Sequence, residues 1–212
     1  MRNILYIHGM GGGGDSRIPS ILNSALTSEG INVIVKTYDF DPESAFGQIS
    51  SWVTELKPCL VIGESLGSLH AIRIKGLPHL LISPALNAPF YLGRVFAILS
   101  LIPGVTAILD RIYRPREGDR QPLHFKYSIL RKYIGHGRSA MMNTPANGST
   151  DYFHAFIGTN DHYRRTGVVS LKTWKKHFGE TCSLYDGSHF TEEEHIYALI
   201  IPAICDLLKD NG

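Results

Sequence analysis

The stretch Leu60-Val61-Ile62-Gly63-Glu64-Ser65-Leu66-Gly67 narrows the folds open to this chain more than any other. A short apolar run enters a G-x-S-x-G pentad, and a helix-like segment over residues 68–75 follows at once and stops at Gly76. A buried strand that gives way to a helix so abruptly forces the turn residue into a strained backbone conformation. Gly63 and Gly67 have no Cβ, so strand and helix can pass close to each other around that turn. Ser65 is left at the tip, its hydroxyl pushed out beyond the strand. In a chain with 21 glycines the pentad alone is weak evidence. The strand before it and the helix after it make Ser65 a candidate nucleophile, against the plain reading of a serine in an ordinary turn.

The rest of the chain repeats the alternation. Residues 3–7, 31–37, 79–83, 152–158 and 181–185 read as further strands. Between them lie helical patterns over residues 18–28 and 43–56, and one with Leu171, Trp174 and Phe178 on a single face. Strands alternating with helices predict an α/β fold, a mostly parallel sheet of about six strands with helices on both faces. The length of 212 residues suits one domain over residues 1–212. The last helix opens on a capping-box pattern, Thr191 with Glu194, and Pro202 should kink or split it. Residues 84–150 break the alternation and are read as a helical lid, inserted between the fourth strand and the strand that ends near Asp161.

Composition excludes several functions. The 43% hydrophobic content is that of a globular protein, and a net charge of +2 is too small for a nucleic-acid binder. Cys59, Cys182 and Cys205 form no C-x-x-C pair, and no H-E-x-x-H spacing appears, so neither a disulfide framework nor a metal site is expected. The apolar run near the N-terminus is too short for a signal peptide, and none is long enough to span a membrane. A reduced, cytoplasmic setting is the default.

A serine hydroxyl needs a base to take its proton, and the base needs an orienting acid. The strand over 152–158 ends in Thr159-Asn160-Asp161, and the strand over 181–185 ends in Asp186-Gly187-Ser188-His189. In a parallel sheet both ends lie at the edge that carries Ser65. Asp161 and His189 are therefore the candidate acid and base, although singly Asp161 is also a turn residue and His189 one of ten histidines. Asp151 precedes its strand and falls at the opposite edge; Asp186 is too near His189 in sequence to come from a separate strand. Two backbone N–H groups must also face the developing oxyanion. Leu66 offers one at the start of its helix, and Met10, in the loop after the first strand, offers the other.

The run I-L-Y-I-H-G-M-G-G, the G-E-S-L-G elbow, the G-T-N-D strand end and the G-S-H-F loop together resemble the α/β-hydrolase superfamily. The compact size and the early H-G loop are similar to small bacterial YqiA-like esterases. The resemblance implies the α/β-hydrolase fold and Ser65, Asp161 and His189 as a triad. It also implies Met10 and Leu66 as oxyanion donors. The expected activity is cleavage of a small-molecule carboxylic ester or thioester through an acyl-enzyme on Ser65, with no cofactor.

Two other functions are open to the same residues. The fold could serve as a catalytically silent binding module with access blocked by the lid. Alternatively, Gly9-Met10-Gly11-Gly12-Gly13-Gly14 satisfies G-x-G-x-x-G after a strand, with Asp39 at the end of the next, which is the formal pattern of a dinucleotide site. The insertion carries nine Lys or Arg against three acids, a net +6. Phe90, Tyr91, Val95, Phe96, Leu99 and Leu101 are expected to wall an acyl pocket. The charges are read first as a solvated face, with a basic rim for an anionic substrate or a lipid surface as the functional alternatives.

Overall fold

A computed structural model of the protein describes residues 1–114 and 117–209. Arg116 of the basic insertion lies outside the described residues. Six strands form one sheet in the order β2-β1-β3-β4-β5-β6, and every pairing is parallel. They are β1 (Arg2–Ile7), β2 (Ile31–Val35), β3 (Leu60–Glu64), β4 (His79–Ile82), β5 (Phe153–Gly158) and β6 (Cys182–Tyr185). Helices α1 (Arg17–Leu26), α2 (Pro42–Leu56) and α3 (Gly67–Arg73) connect the first four strands.

The cores follow from strand alternation. Leu5, Ile7, Val61, Leu81, Ala155 and Ile157 point to one face, covered by α2, α3 and neighbouring helices. Ile4, Tyr6, Leu60, Ile62, Leu80, Ile82 and Phe156 point to the other, covered by α1 and the C-terminal helix. Burial on both faces is why β3 and β4 read as unbroken apolar runs. The strand order reverses between β1 and β3, so the loops after these two strands diverge and leave a crevice at their carboxyl ends. Ser65 and the glycine run both lie there.

Between β4 and β5 the chain leaves the sheet. Helix α4 (Ala88–Phe90) passes through a π-helical stretch, Tyr91–Phe96, into α5 (Ala97–Leu99), and α6 (Val105–Ile112) returns. A strap over residues 117–126, without helix or strand, precedes α7 (Tyr127–Met141), which packs against α3. Beyond β5 come α8 (His162–Thr166) and α9 (Leu171–Phe178).

The C-terminal helix departs from its expected start. Its first segment, α10 (Glu193–His195), has Glu192 as N-cap and no side-chain cap. The Thr191 hydroxyl is instead hydrogen-bonded to the Tyr185 hydroxyl at 2.8 Å. The helix is π-wound over Ile196–Ile200 before α11 (Ile201–Lys209). The wide turn makes room for the ring of Pro202, which has no N–H to give to the ladder.

Candidate active site

Ser65 sits on a strained turn with φ of 49°, outside the range most side chains tolerate. Its N–H donates to the Ile82 carbonyl at 2.9 Å, and its own carbonyl accepts from Ala85 N–H at 3.1 Å, which pins the turn. Both pentad glycines are sterically required. A Cβ on Gly63 would lie 2.7 Å from Ser68 Cα, and one on Gly67 would lie 2.3 Å from the His8 carbonyl oxygen.

The loops after β5 and β6 bring the other two candidates to Ser65. His189 Nε2 is 3.0 Å from Ser65 Oγ, and His189 Nδ1 is 2.7 Å from Asp161 Oδ2. A carboxylate can only accept, so the Nδ1 proton faces Asp161 and Nε2 is left to accept from the serine hydroxyl. The Asp161 side chain has no solvent exposure. Its second oxygen accepts from Tyr163 N–H at 2.8 Å, so Asp161 also caps α8 and its orientation is fixed twice. The Tyr163 ring meets His189 edge-on at 4.6 Å. The rival acids are engaged elsewhere: Asp151 accepts from Gly76 N–H and Asn143 Nδ2, and Asp186 from Asn160 Nδ2.

Ser65 and His189 line a cavity of about 450 Å³. Met10 and Leu66 line it too, and among the described residues neither backbone N–H makes a hydrogen bond. Its apolar lining includes Ala88, Leu92, Phe96, Tyr113 and Val168. Its charged lining residues are Arg17, Glu64 and Arg120. Each of the three makes a hydrogen bond or an ion pair. Arg17 donates to the Thr191 carbonyl at 2.5 Å, Glu64 accepts from the Tyr6 hydroxyl, and Arg120 pairs with Asp15.

Two of the six residues expected to wall an acyl pocket line the cavity. Tyr91 and Phe96 line the cavity, whereas Phe90, Val95, Leu99 and Leu101 are 53%, 41%, 40% and 62% exposed and face away. Helical winding sends residues within each turn to different sides, and both sides of this segment are apolar, so sequence pattern could not sort them. The reading of the residues also missed Tyr163 and Phe190, although both directly flank Asp161 and His189. Arg120 belongs to the basic stretch of the insertion and Glu64 to the pentad, whereas nothing in the sequence marked Arg17.

The glycine run serves the insertion. Gly11 N–H donates to Gln121 Oε1, Gly13 N–H to Ser16 Oγ, and Gly14 N–H to Thr37 Oγ1. Gln121 N–H in turn donates to the Gly12 carbonyl at 2.7 Å. The strap therefore occupies the loop that a pyrophosphate would need. The Asp39 carboxylate accepts from Asp41 N–H in the turn before α2. Among the described residues no group of three His, Cys, Asp or Glu converges as a metal site would.

No family model matches the chain, and no curated protein matches it. Solved structures do. A monoacylglycerol lipase from Paleococcus ferrophilus superposes with a TM-score of 0.65 at 18% identity, covering 99% of this chain and 95% of that one. Mouse alpha/beta hydrolase domain-containing protein 10 gives 0.66 at 16% identity, with 99% and 90% covered. Est1E from Butyrivibrio proteoclasticus, with ferulic acid bound, gives 0.64 at 15% identity, with 99% and 89% covered. The chain thus has the α/β-hydrolase fold, as its all-parallel sheet and strand-end loops indicate. The similar structures are of lipases and esterases and of other proteins of that fold.

Proposed function

We propose that this protein is a serine hydrolase that cleaves a carboxylic ester or thioester through an acyl-enzyme on Ser65. One observation carries the reading: the unbroken chain from Ser65 Oγ through His189 to buried Asp161, at 3.0 and 2.7 Å, opening on a cavity. His189 Nε2 takes the proton of Ser65 as Oγ attacks the carbonyl carbon. The oxyanion forms between the free N–H groups of Met10 and Leu66. His189 then returns the proton to the departing alcohol or thiol. In the second half, His189 draws a proton from water, which attacks the acyl-enzyme and releases the acid.

The apolar lining of the cavity suits the acyl chain. The silent-module reading requires blocked access, and a cavity that reaches both Ser65 and His189 argues against it. The test is labelling by a fluorophosphonate probe, with short p-nitrophenyl esters as substrates. Wild type should label and turn over, and Ser65→Ala should do neither. Equal labelling of the two proteins would sink the assignment.

A further inference from the structure

The segment between β4 and β5 exposes large apolar side chains beyond what a solvated surface needs. Ile98, Leu101, Ile102, Ile108 and Ile112 are 64%, 62%, 52%, 57% and 66% exposed. They lie on the outward sides of consecutive helices and on the turn that joins them. Helix α6 is strongly amphipathic, yet none of its residues is buried. Soluble monomers rarely show so continuous an apolar run, and such runs mark interaction sites.

Arginines are interleaved with it. Arg111 and Arg114 alternate with Ile108 and Ile112, and Arg94 holds its guanidinium 5.8 Å from the Phe90 ring centre. Among the described residues none of these three arginines has an ion-pair partner. By contrast, Arg120 and Lys132 of the same insertion are paired with Asp15, Asp41 and Glu43. Lys126, Arg131 and Arg138 also lack an ion-pair partner among the described residues, but Arg94, Arg111 and Arg114 are the ones that share their segment with the exposed apolar residues.

We propose that this outward face docks on an anionic lipid bilayer. Apolar side chains would enter the headgroup boundary while the arginines meet anionic headgroups, the division of labour of an interfacial amphipathic helix. The charge decides against a second copy of this chain. A two-fold interface would set Arg94, Arg111 and Arg114 against the same patch of the partner, with like charges facing. No helix among the described residues is long and apolar enough to cross a membrane, so the contact is peripheral. Tyr91, Leu92, Phe96 and Tyr113 of the same segment line the cavity, so docking would set the cavity beside the bilayer. The proposal stands apart from the hydrolase reading, because binding is measured without turnover.

The experiment is co-sedimentation with vesicles of phosphatidylcholine alone or mixed with phosphatidylglycerol. Wild type should bind the mixed vesicles, fail on the neutral ones, and release as salt rises. Arg111→Gln with Arg114→Gln should weaken partitioning about thirty-fold, at about fivefold per cation. Ile108→Ser with Ile112→Ser should abolish it. All four side chains are exposed, and unchanged thermal unfolding of the variants checks that they fold. No binding to the mixed vesicles, or binding untouched by either pair of substitutions, overturns the proposal. So does a dimer in light scattering that the Ile108→Ser/Ile112→Ser protein no longer forms.

Discussion

Three of the four buried histidines outside the proposed site form a stack that should make this protein acid-sensitive well above the carboxylate range. His8 stacks on Tyr38 at 4.2 Å, Tyr38 meets His70 at 5.1 Å, and His70 meets His136 at 4.2 Å. His8 is fully buried and its Nε2 has no partner. Burial pushes it down to about 4, against an opposing hydrogen bond to the Gly9 carbonyl. His136 is pushed down to about 3, by burial first and then by Arg73, whose guanidinium donates to Nδ1 at 2.9 Å. His70 lies well below the usual histidine range, again through burial. In each case the unfolded chain takes the proton first as pH falls through 6.5. The stability these neutral rings allow is therefore present above 6.5 and is lost on the way down to the folded-state value. Between pH 8 and pH 5 the loss comes to about 2 kcal/mol each for His8 and His136. Their sum, about 4 kcal/mol, is a large part of the 5–15 kcal/mol typical of a folded protein.

The window separates these groups from the acids. Asp41 and Glu192 are held below their usual values, so their contributions are lost only below about pH 4.5. Urea unfolding at pH 8 and pH 5, at fixed ionic strength, should show wild type losing about 4 kcal/mol or more. In His136→Gln the amide oxygen can still accept from Arg73, but nothing titrates. Its loss between the two pH values should be smaller by about 2 kcal/mol, whatever its stability at pH 8. An equal loss in wild type and His136→Gln would refute the reasoning.

Asp161→Asn should lower turnover of a p-nitrophenyl ester by roughly 10⁴ while leaving the fold intact. The amide oxygen would stay on Tyr163 N–H, so the amide N–H would face His189 Nδ1 and force the wrong tautomer towards Ser65. Asp151→Asn should instead cost stability and spare turnover, since Asp151 serves only Gly76 and Asn143; the opposite pattern would reassign the acid. Gln121→Ala should destabilise by about 2–3 kcal/mol in urea unfolding, because it strands Gly11 N–H and the carbonyls of Tyr38 and Asp39. A cost under about 0.5 kcal/mol would mean that the strap does not hold the glycine loop.

What the sequence disclosed and what it hid follow from the range of the interactions involved. The elbow was legible because its signal is local: two glycines, a serine between them, an apolar run before and a helix after. The meeting of Asp161 and His189 with Ser65 was legible at one remove, because a parallel sheet brings all its strand ends to one edge whatever the loop lengths. The insertion has no such rule. Its first helix is apolar on both sides and π-wound over Tyr91–Phe96, so no period distinguishes the cavity wall from the outer face. The Thr191 cap failed because a more buried partner, the Tyr185 hydroxyl, takes its oxygen. In the glycine run, a Cβ on Gly13 would lie 1.7 Å from the Asp119 carbonyl oxygen. Those glycines are therefore a seat for the strap, and the hydrogen bond from Gly11 to Gln121 crosses 110 residues of sequence. Met10 directly precedes that bond. The direction of its N–H, on which the proposed oxyanion pocket depends, is consequently set by the insertion as much as by β1.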